Sequence, residues 1–132
     1  MCQADGTTSH KHILIVDDDM YIRALVENSL TLMNPNYKIS TASNGSTALE
    51  QFKEEPVDLI LTDNQMPKMS GLELSQAVRK ISASAAIILM TGNGNDSVRQ
   101  QVKDLNLQGY MEKPFSLIEL QTAVKGLLCP SS

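Results

Sequence analysis

Short apolar runs alternate five times with segments whose apolar residues recur every three or four positions. The runs are ILIV at 13–16, YKISTA at 37–42, LIL at 59–61, AIILM at 86–90 and GYM at 109–111. Four of them lack the in/out alternation of a half-exposed sheet. Strands that are apolar at every position fit a parallel sheet covered by helices on both faces, since side chains pointing either way then leave water. The intervening segments carry helical stripes: Ile22, Leu25, Val26, Leu30 and Met33 with Asp19 as cap; Ala48, Leu49 and Phe52 after Asn44-Gly45; Leu74, Ala77, Val78 and Ile81 after Ser70-Gly71. The last stripe, Leu117, Leu120, Val124 and Leu127, follows Ser116, and Glu119 three residues on predicts a capping box. The segment 97–105 offers only Val98, Val102 and Leu105 and should be the least firmly packed. The expected fold is a doubly wound α/β domain, a (βα)5 three-layer sandwich with right-handed crossovers.

At 132 residues the chain suits one compact domain, expected over 12–129 behind a small, polar, disordered leader at 1–11, with Pro130-Ser131-Ser132 ending structure. Cys2 and Cys129 have no framework spacing and read as free thiols in a reducing compartment. No apolar run approaches the roughly 20 residues that span a bilayer, and residues 1–11 lack the order of a secretory signal. A cytoplasmic protein without a membrane role is expected. A net charge of −4 with no basic stripe argues against direct nucleic-acid binding, which rests on neutralising phosphates.

In sheets of this kind chemistry collects outside the carboxyl ends of the strands. There the sequence places Asp17-Asp18-Asp19, Thr62-Asp63, Thr91-Gly92 and Glu112-Lys113-Pro114. Asp17, Asp18 and Asp63 converging on one pocket would raise each other's pKa unless a cation lay among them. Carboxylate oxygens suit Mg²⁺, which keeps several waters and favours phosphates. A carboxylate can be the nucleophile in phosphoryl transfer, which needs positioning and charge neutralisation above all. Lys113 supplies a point charge, Thr91 a hydroxyl donor, and Gly92 and Gly94 leave N–H groups open at the next helix start. Singly, an Asp after a strand is more often a cap, as Asp19 is read here; Thr91 would be a turn hydroxyl, Lys113 a solvated charge and Tyr110 a core aromatic. Their conjunction at successive strand ends favours the functional reading.

The runs ILIVDDD at 13–19, DLILTDNQMPKMSG at 58–71, LMTG at 89–92 and YMEKPF at 110–115 together resemble the receiver domain of two-component response regulators, over about residues 11–128. The resemblance implies the flavodoxin- and CheY-like strand order 2-1-3-4-5. It implies that Asp63 is the phosphoacceptor, attacking a phosphohistidine on a histidine kinase or phosphotransfer protein. Asp18 would bind Mg²⁺ (or Mn²⁺) directly and Asp17 through water, with Asp63 and the main-chain carbonyl of Gln65 as further ligands. Thr91 and Lys113 would hold phosphoryl oxygens, Lys113–Pro114 would be cis, and Met66-Pro67 and Gly71 would shape the loop after the acceptor. Such a domain is no enzyme beyond its own phosphorylation and dephosphorylation. Thr91 and Tyr110 would form the switch, and the face made by 97–128 would meet a downstream effector or a second copy. Gly92 stands where many such domains have alanine, and Gln65 and Asn93 stand where the family tunes dephosphorylation.

Other classes remain. A haloacid-dehalogenase-like phosphatase also uses an Asp after its first strand, in a pattern like Asp17-Asp18-Asp19, but Met20-Tyr21 departs from its motif and no late Asp pair exists. An unphosphorylated interaction module would need none of the acids, Thr91 or Lys113. A flavodoxin-like carrier would need a phosphate-cradling loop after the first strand.

Overall fold

The computed structural model describes residues 11–92 and 94–128. Its elements are β1 (His12–Val16), α1 (Met20–Met33), β2 (Lys38–Ala42), α2 (Gly45–Glu54), β3 (Leu59–Asp63), α3 (Gly71–Ile81), β4 (Ala86–Thr91), α4 (Asp96–Asp104), β5 (Gly109–Glu112) and α5 (Leu117–Leu128). The strands form one sheet in the order β2-β1-β3-β4-β5, every neighbouring pair parallel. The expected leader lies outside the described residues except Lys11, whose carbonyl accepts from the Lys38 N–H at 2.9 Å, so pairing begins earlier than the sequence suggested. The expected chain end at 129–132 also lies outside them.

Alternate residues of β1, β3 and β4 enter different cores. Ile13, Ile15, Leu59, Leu61, Ile88 and Met90 meet Val26 and Leu30 of α1 and Leu120, Val124 and Leu128 of α5. Leu14, Val16, Ile60 and Ile87 meet Ala48 of α2 and Leu74 and Val78 of α3 on the other face. Both sets of strand side chains are fully buried, which is why these runs show no alternation. β5 departs from that expectation: it is an edge strand, and its residues are half-buried or exposed because only β4 flanks it.

Two stripe residues also lie elsewhere than expected. Leu25 and Ile81 are about half exposed, at 49% and 51%, because each helix is covered only along the line nearest the sheet. Helix starts follow the capping chemistry. The Asp19 carboxylate accepts from the Tyr21 and Ile22 N–H groups, Asn44 caps α2 and Asn95 caps α4. Ser70 with Glu73, and Ser116 with Glu119, form reciprocal boxes at α3 and α5. The weakly striped helix α4 has only Val98 and Val102 buried, and α2 likewise only Gly45 and Ala48. No helix among the described residues is long and apolar enough to cross a membrane.

Arg79 of α3 adds polar ties between segments that also meet through Val78, Ala85 and Leu107. Its guanidinium donates to the carbonyls of Leu105 (2.8 Å), Ala85 (2.7 Å) and Asn106 (3.0 Å), and to Gln108 Oε1 (3.2 Å). Gln108 Oε1 also accepts from the Ile87 N–H at 2.8 Å, so one amide and one guanidinium fix the entries to β4 and β5. Burial holds the Arg79 pKa below its ordinary value. Charge-assisted hydrogen bonds of this kind contribute about 2 kcal/mol net where their carbonyls are shielded. Arg79→Ala should therefore destabilise the fold by about 2 kcal/mol in urea unfolding, without changing the slope.

Candidate functional site

The sheet order reverses between β1 and β3, because the chain passes from β1 outward to β2 and then back across to β3. Val16 pairs with Thr62 in that seam, so the next residues, Asp17 and Asp63, stand side by side at the carboxyl edge. Asp63 is the last residue of β3 itself, and Thr91 and Glu112 likewise close β4 and β5, so the sequence placed these strand ends too early. Backbone pairing does not stop where side chains turn polar. The Thr62 hydroxyl donates to the Asp63 carbonyl at 2.9 Å, and the Asn64 N–H donates to the Met90 carbonyl at 2.9 Å. Behind the acid, the Gly71 N–H donates to the Asn64 carbonyl at 3.0 Å, and a Cβ at Gly71 would collide with the Asp63 carbonyl and stand 2.9 Å from Leu89 Cδ1. The loop between β3 and α3 can lie this close only with glycine there.

One oxygen from each of Asp17, Asp18 and Asp63 lies within 4.8 Å of the others. Asp17 is 1% and Asp63 4% exposed, while Asp18 faces solvent. Lys113 Nζ stands 3.0 Å from Asp63 Oδ1 and 3.2 Å from Asp17 Oδ2. Asp17 Oδ1 accepts from the Asp19 N–H at 2.9 Å, and Arg23 Nη1 donates to the Asp17 carbonyl at 2.7 Å. Burial pushes the Asp63 pKa up; Lys113 opposes this, Asp17 and Asp18 add to it, and the net result is above the ordinary carboxylate value. For Lys113 burial works against the ammonium, but Asp63 and Asp17 more than offset it, and its pKa is raised.

Three carboxylates against one ammonium leave a negative excess that a divalent cation would remove. Oxygens sharing one Mg²⁺ at about 2.1 Å lie at most about 4.2 Å apart, so a set already within reach of that spacing fits the ion with small side-chain shifts. Mn²⁺ accepts the same hard oxygen donors.

The remaining residues divide. Thr91 is buried, and its carbonyl accepts the Lys113 N–H at 2.8 Å, which brings β4 to the base of the lysine. The Lys113–Pro114 peptide is cis. Gln65 is exposed, two residues past Asp63. Tyr110 is not in the cluster. Its ring packs with Leu72, Leu89, Val98 and Val102, and its hydroxyl donates to Glu112 Oε2 at 3.1 Å. A Cβ at Gly92 would meet nothing within 4 Å, so packing does not demand glycine there. Asn93 lies outside the described residues. Arg23 and Arg99 were not singled out from the sequence, and Glu112 was named only as part of a strand end. Nothing in their spacing marks them.

A carboxyl whose pKa rises on folding contributes stability below its ordinary range and loses that contribution as pH rises through its folded value. At neutral pH the Asp63 charge therefore opposes folding. Asp63→Asn should raise stability at pH 7 by on the order of 1 kcal/mol, the gain shrinking toward pH 4. Thermal melts of both proteins across that range check this, and a gain that grows in acid would contradict it.

Residues 13–125 match the response regulator receiver domain family. Over 117 residues the chain is 38% identical to "Probable transcriptional regulator ycf27" of Cyanidium caldarium, covering 89% of this chain and 46% of that protein. Among solved structures, the chemotaxis protein CheY4 of Vibrio cholerae superposes with a TM-score of 0.83 at 30% identity, over 91% of this chain and all of that one. The response regulator TrrA of Thermotoga maritima, solved in complex with Mg(2+)-BeF, gives 0.79 at 38% identity over 89% of this chain and 99% of that one. The chain spans about half the length of the curated relatives it matches. With its sheet order, its seam of acids and its matched residues, it belongs to the response regulator receiver domains of two-component signalling.

Proposed function

We propose that Asp63 accepts a phosphoryl group from a phosphohistidine on a partner histidine kinase or phosphotransfer protein. One observation carries this reading: a carboxylate almost closed to solvent, facing an ammonium at 3.0 Å and two further carboxylates. An Asp63 oxygen attacks phosphorus, the new O–P bond forms as the P–N bond breaks, and the electron pair leaves with the imidazole. Asp18, Asp17, Asp63 and the main-chain carbonyl of Gln65 would hold Mg²⁺ (or Mn²⁺), which when bound neutralises charge on the transferring group. Lys113 and the Thr91 hydroxyl hold phosphoryl oxygens. Lys113 keeps the acceptor from facing incoming anions uncompensated. The same residues would later admit water for self-dephosphorylation, a step that exposed Gln65, two residues past the acceptor, would tune. Thr91 and Tyr110 relay the change to the face made by 97–128, which meets a downstream effector or a second copy of the chain. We place the receiver at 12–129 and the protein in the cytoplasm, where such kinases phosphorylate their partners, without a nucleic-acid contact of its own in this segment.

A haloacid-dehalogenase-like reading would make Asp17 the nucleophile. Asp17 is already engaged through both carboxylate oxygens, so it is the poorer nucleophile.

Acetyl phosphate with Mg²⁺ should add one phosphoryl group by mass, absent in Asp63→Asn and retained in Asp17→Asn at a reduced rate. Undiminished labelling of Asp63→Asn would refute the assignment. Asp18→Ala should weaken Mg²⁺ binding more than tenfold, as loss of a direct carboxylate ligand does. Titrations that coincide for wild type and Asp18→Ala would remove Asp18 from the metal set.

A further inference from the structure

A single oxygen makes a polar link between the edge strand and α4. Glu112 Oε2 accepts from the Tyr110 hydroxyl at 3.1 Å and from Arg99 Nη1 at 3.3 Å. Arg99 Nη2 also meets Asp96 Oδ1 at 3.1 Å in the first turn of α4. The arrangement depends on Gly94, where a Cβ would fall on the Tyr110 hydroxyl and 2.5 Å from Glu112 Oε2. Glycine just before α4 is what lets the tyrosine and the carboxylate meet beneath that loop. Burial and then Glu112 raise the Tyr110 pKa, as expected for a phenol whose proton is held by a carboxylate. Beyond this polar set α4 is docked by Val98 and Val102, so a few weak contacts decide its position.

We infer that Glu112 is a positioning residue, a clamp whose one carboxylate oxygen sets the Tyr110 ring over Gly94 and fastens the first turn of α4 to β5. Tyr110 and α4 then cannot move independently: displacing the hydroxyl changes the partner that Arg99 meets, and releasing Arg99 frees the acceptor that holds the ring. The pairs are exposed, with side chains of Arg99 and Glu112 at 49% and 55%, so the clamp is weak enough to be undone by events at the acid cluster. This regulatory role rests on the reading of Asp63 as phosphoacceptor, whereas the clamp itself does not.

Amide exchange of α4, with α1 as internal reference, tests both. Glu112→Ala should speed exchange at 98–104 by about fivefold, the scale of exposed charge-assisted contacts, and Glu112→Gln, which keeps an acceptor for Tyr110, by less. Gly94→Ala, which removes the seat without touching the charges, should speed it as well. Tyr110→Phe and Arg99→Gln together should depart from the product of their separate effects, because both act through one oxygen. Unchanged exchange in Glu112→Ala, or a double variant that equals the product, overturns the clamp. With Mg²⁺ and beryllofluoride the wild-type α4 should change its exchange, and Glu112→Ala should change less while still taking up one phosphoryl group from acetyl phosphate. An equal response in both overturns the regulatory role. Wild type that takes up no phosphoryl group would overturn the phosphoacceptor reading, while the exchange results without phosphodonor still decide the clamp.

Discussion

Lys113 donates to Asp63 at 3.0 Å and to Asp17 at 3.2 Å, and Asp18 brings a third carboxylate oxygen within 4.8 Å of theirs, so one cation faces three anions at the seam between β1 and β3. Burial above all, and then Asp17 and Asp18, push the Asp63 pKa up against Lys113, so its charge at neutral pH opposes folding. The cluster persists because the strands beneath it are fixed by apolar burial: Ile13, Ile15, Leu59, Leu61, Ile88 and Met90 are fully buried on one face, and Leu14, Val16, Ile60 and Ile87 on the other. Core burial on this scale outweighs a local repulsion of a few kcal/mol. A site that is short of positive charge on a stiff scaffold offers a divalent cation a place that needs little reorganisation.

The scaffold is stiffest at its centre. β1, β3 and β4 lie between helices, whereas the edge strands β2 and β5 each have a single neighbour and α4 buries only Val98 and Val102. Arg79 anchors the loop between α4 and β5 by its carbonyls, so the looseness is confined to α4 and the outer surface of β5. Regions with few buried contacts and exposed polar pairs open at the lowest free-energy cost, and here that region borders the acid cluster. The arrangement sets a rigid receptor for charge against an element with little to hold it.

The rigid half was the legible half. Uniformly apolar strands and the caps at Asp19, Ser70 and Ser116 follow from local patterns, and the family's motifs gave the cis Lys113–Pro114 bond and the strand order. Periodicity identified helix faces but not how far each is covered, which is why Leu25 and Ile81 proved half exposed. Strand ends were placed early because Thr62, Asp63, Thr91 and Glu112 are polar, and backbone pairing is indifferent to polarity. Arg79, Gln108 and the contacts of Glu112 could not be read at all. Each joins residues far apart in the chain through polar groups that carry no periodic signal.

Adjacent residues at the end of β5 face different worlds. Met111 packs into the core shared by α1 and α5, while Tyr110 packs under α4, so side chains alternate across the sheet along this strand. Continuing that alternation, Glu112 meets Arg99 and Tyr110 on the α4 side, and Lys113 reaches Asp17 and Asp63 at the seam. The Lys113 N–H is held by the Thr91 carbonyl at 2.8 Å, a short main-chain link between the ends of β4 and β5. One peptide bond therefore separates the group that feels charge at the acid cluster from the group that fixes α4. The two groups are thus adjacent in the chain while facing opposite sides of the sheet, so no long chain of packed side chains lies between them.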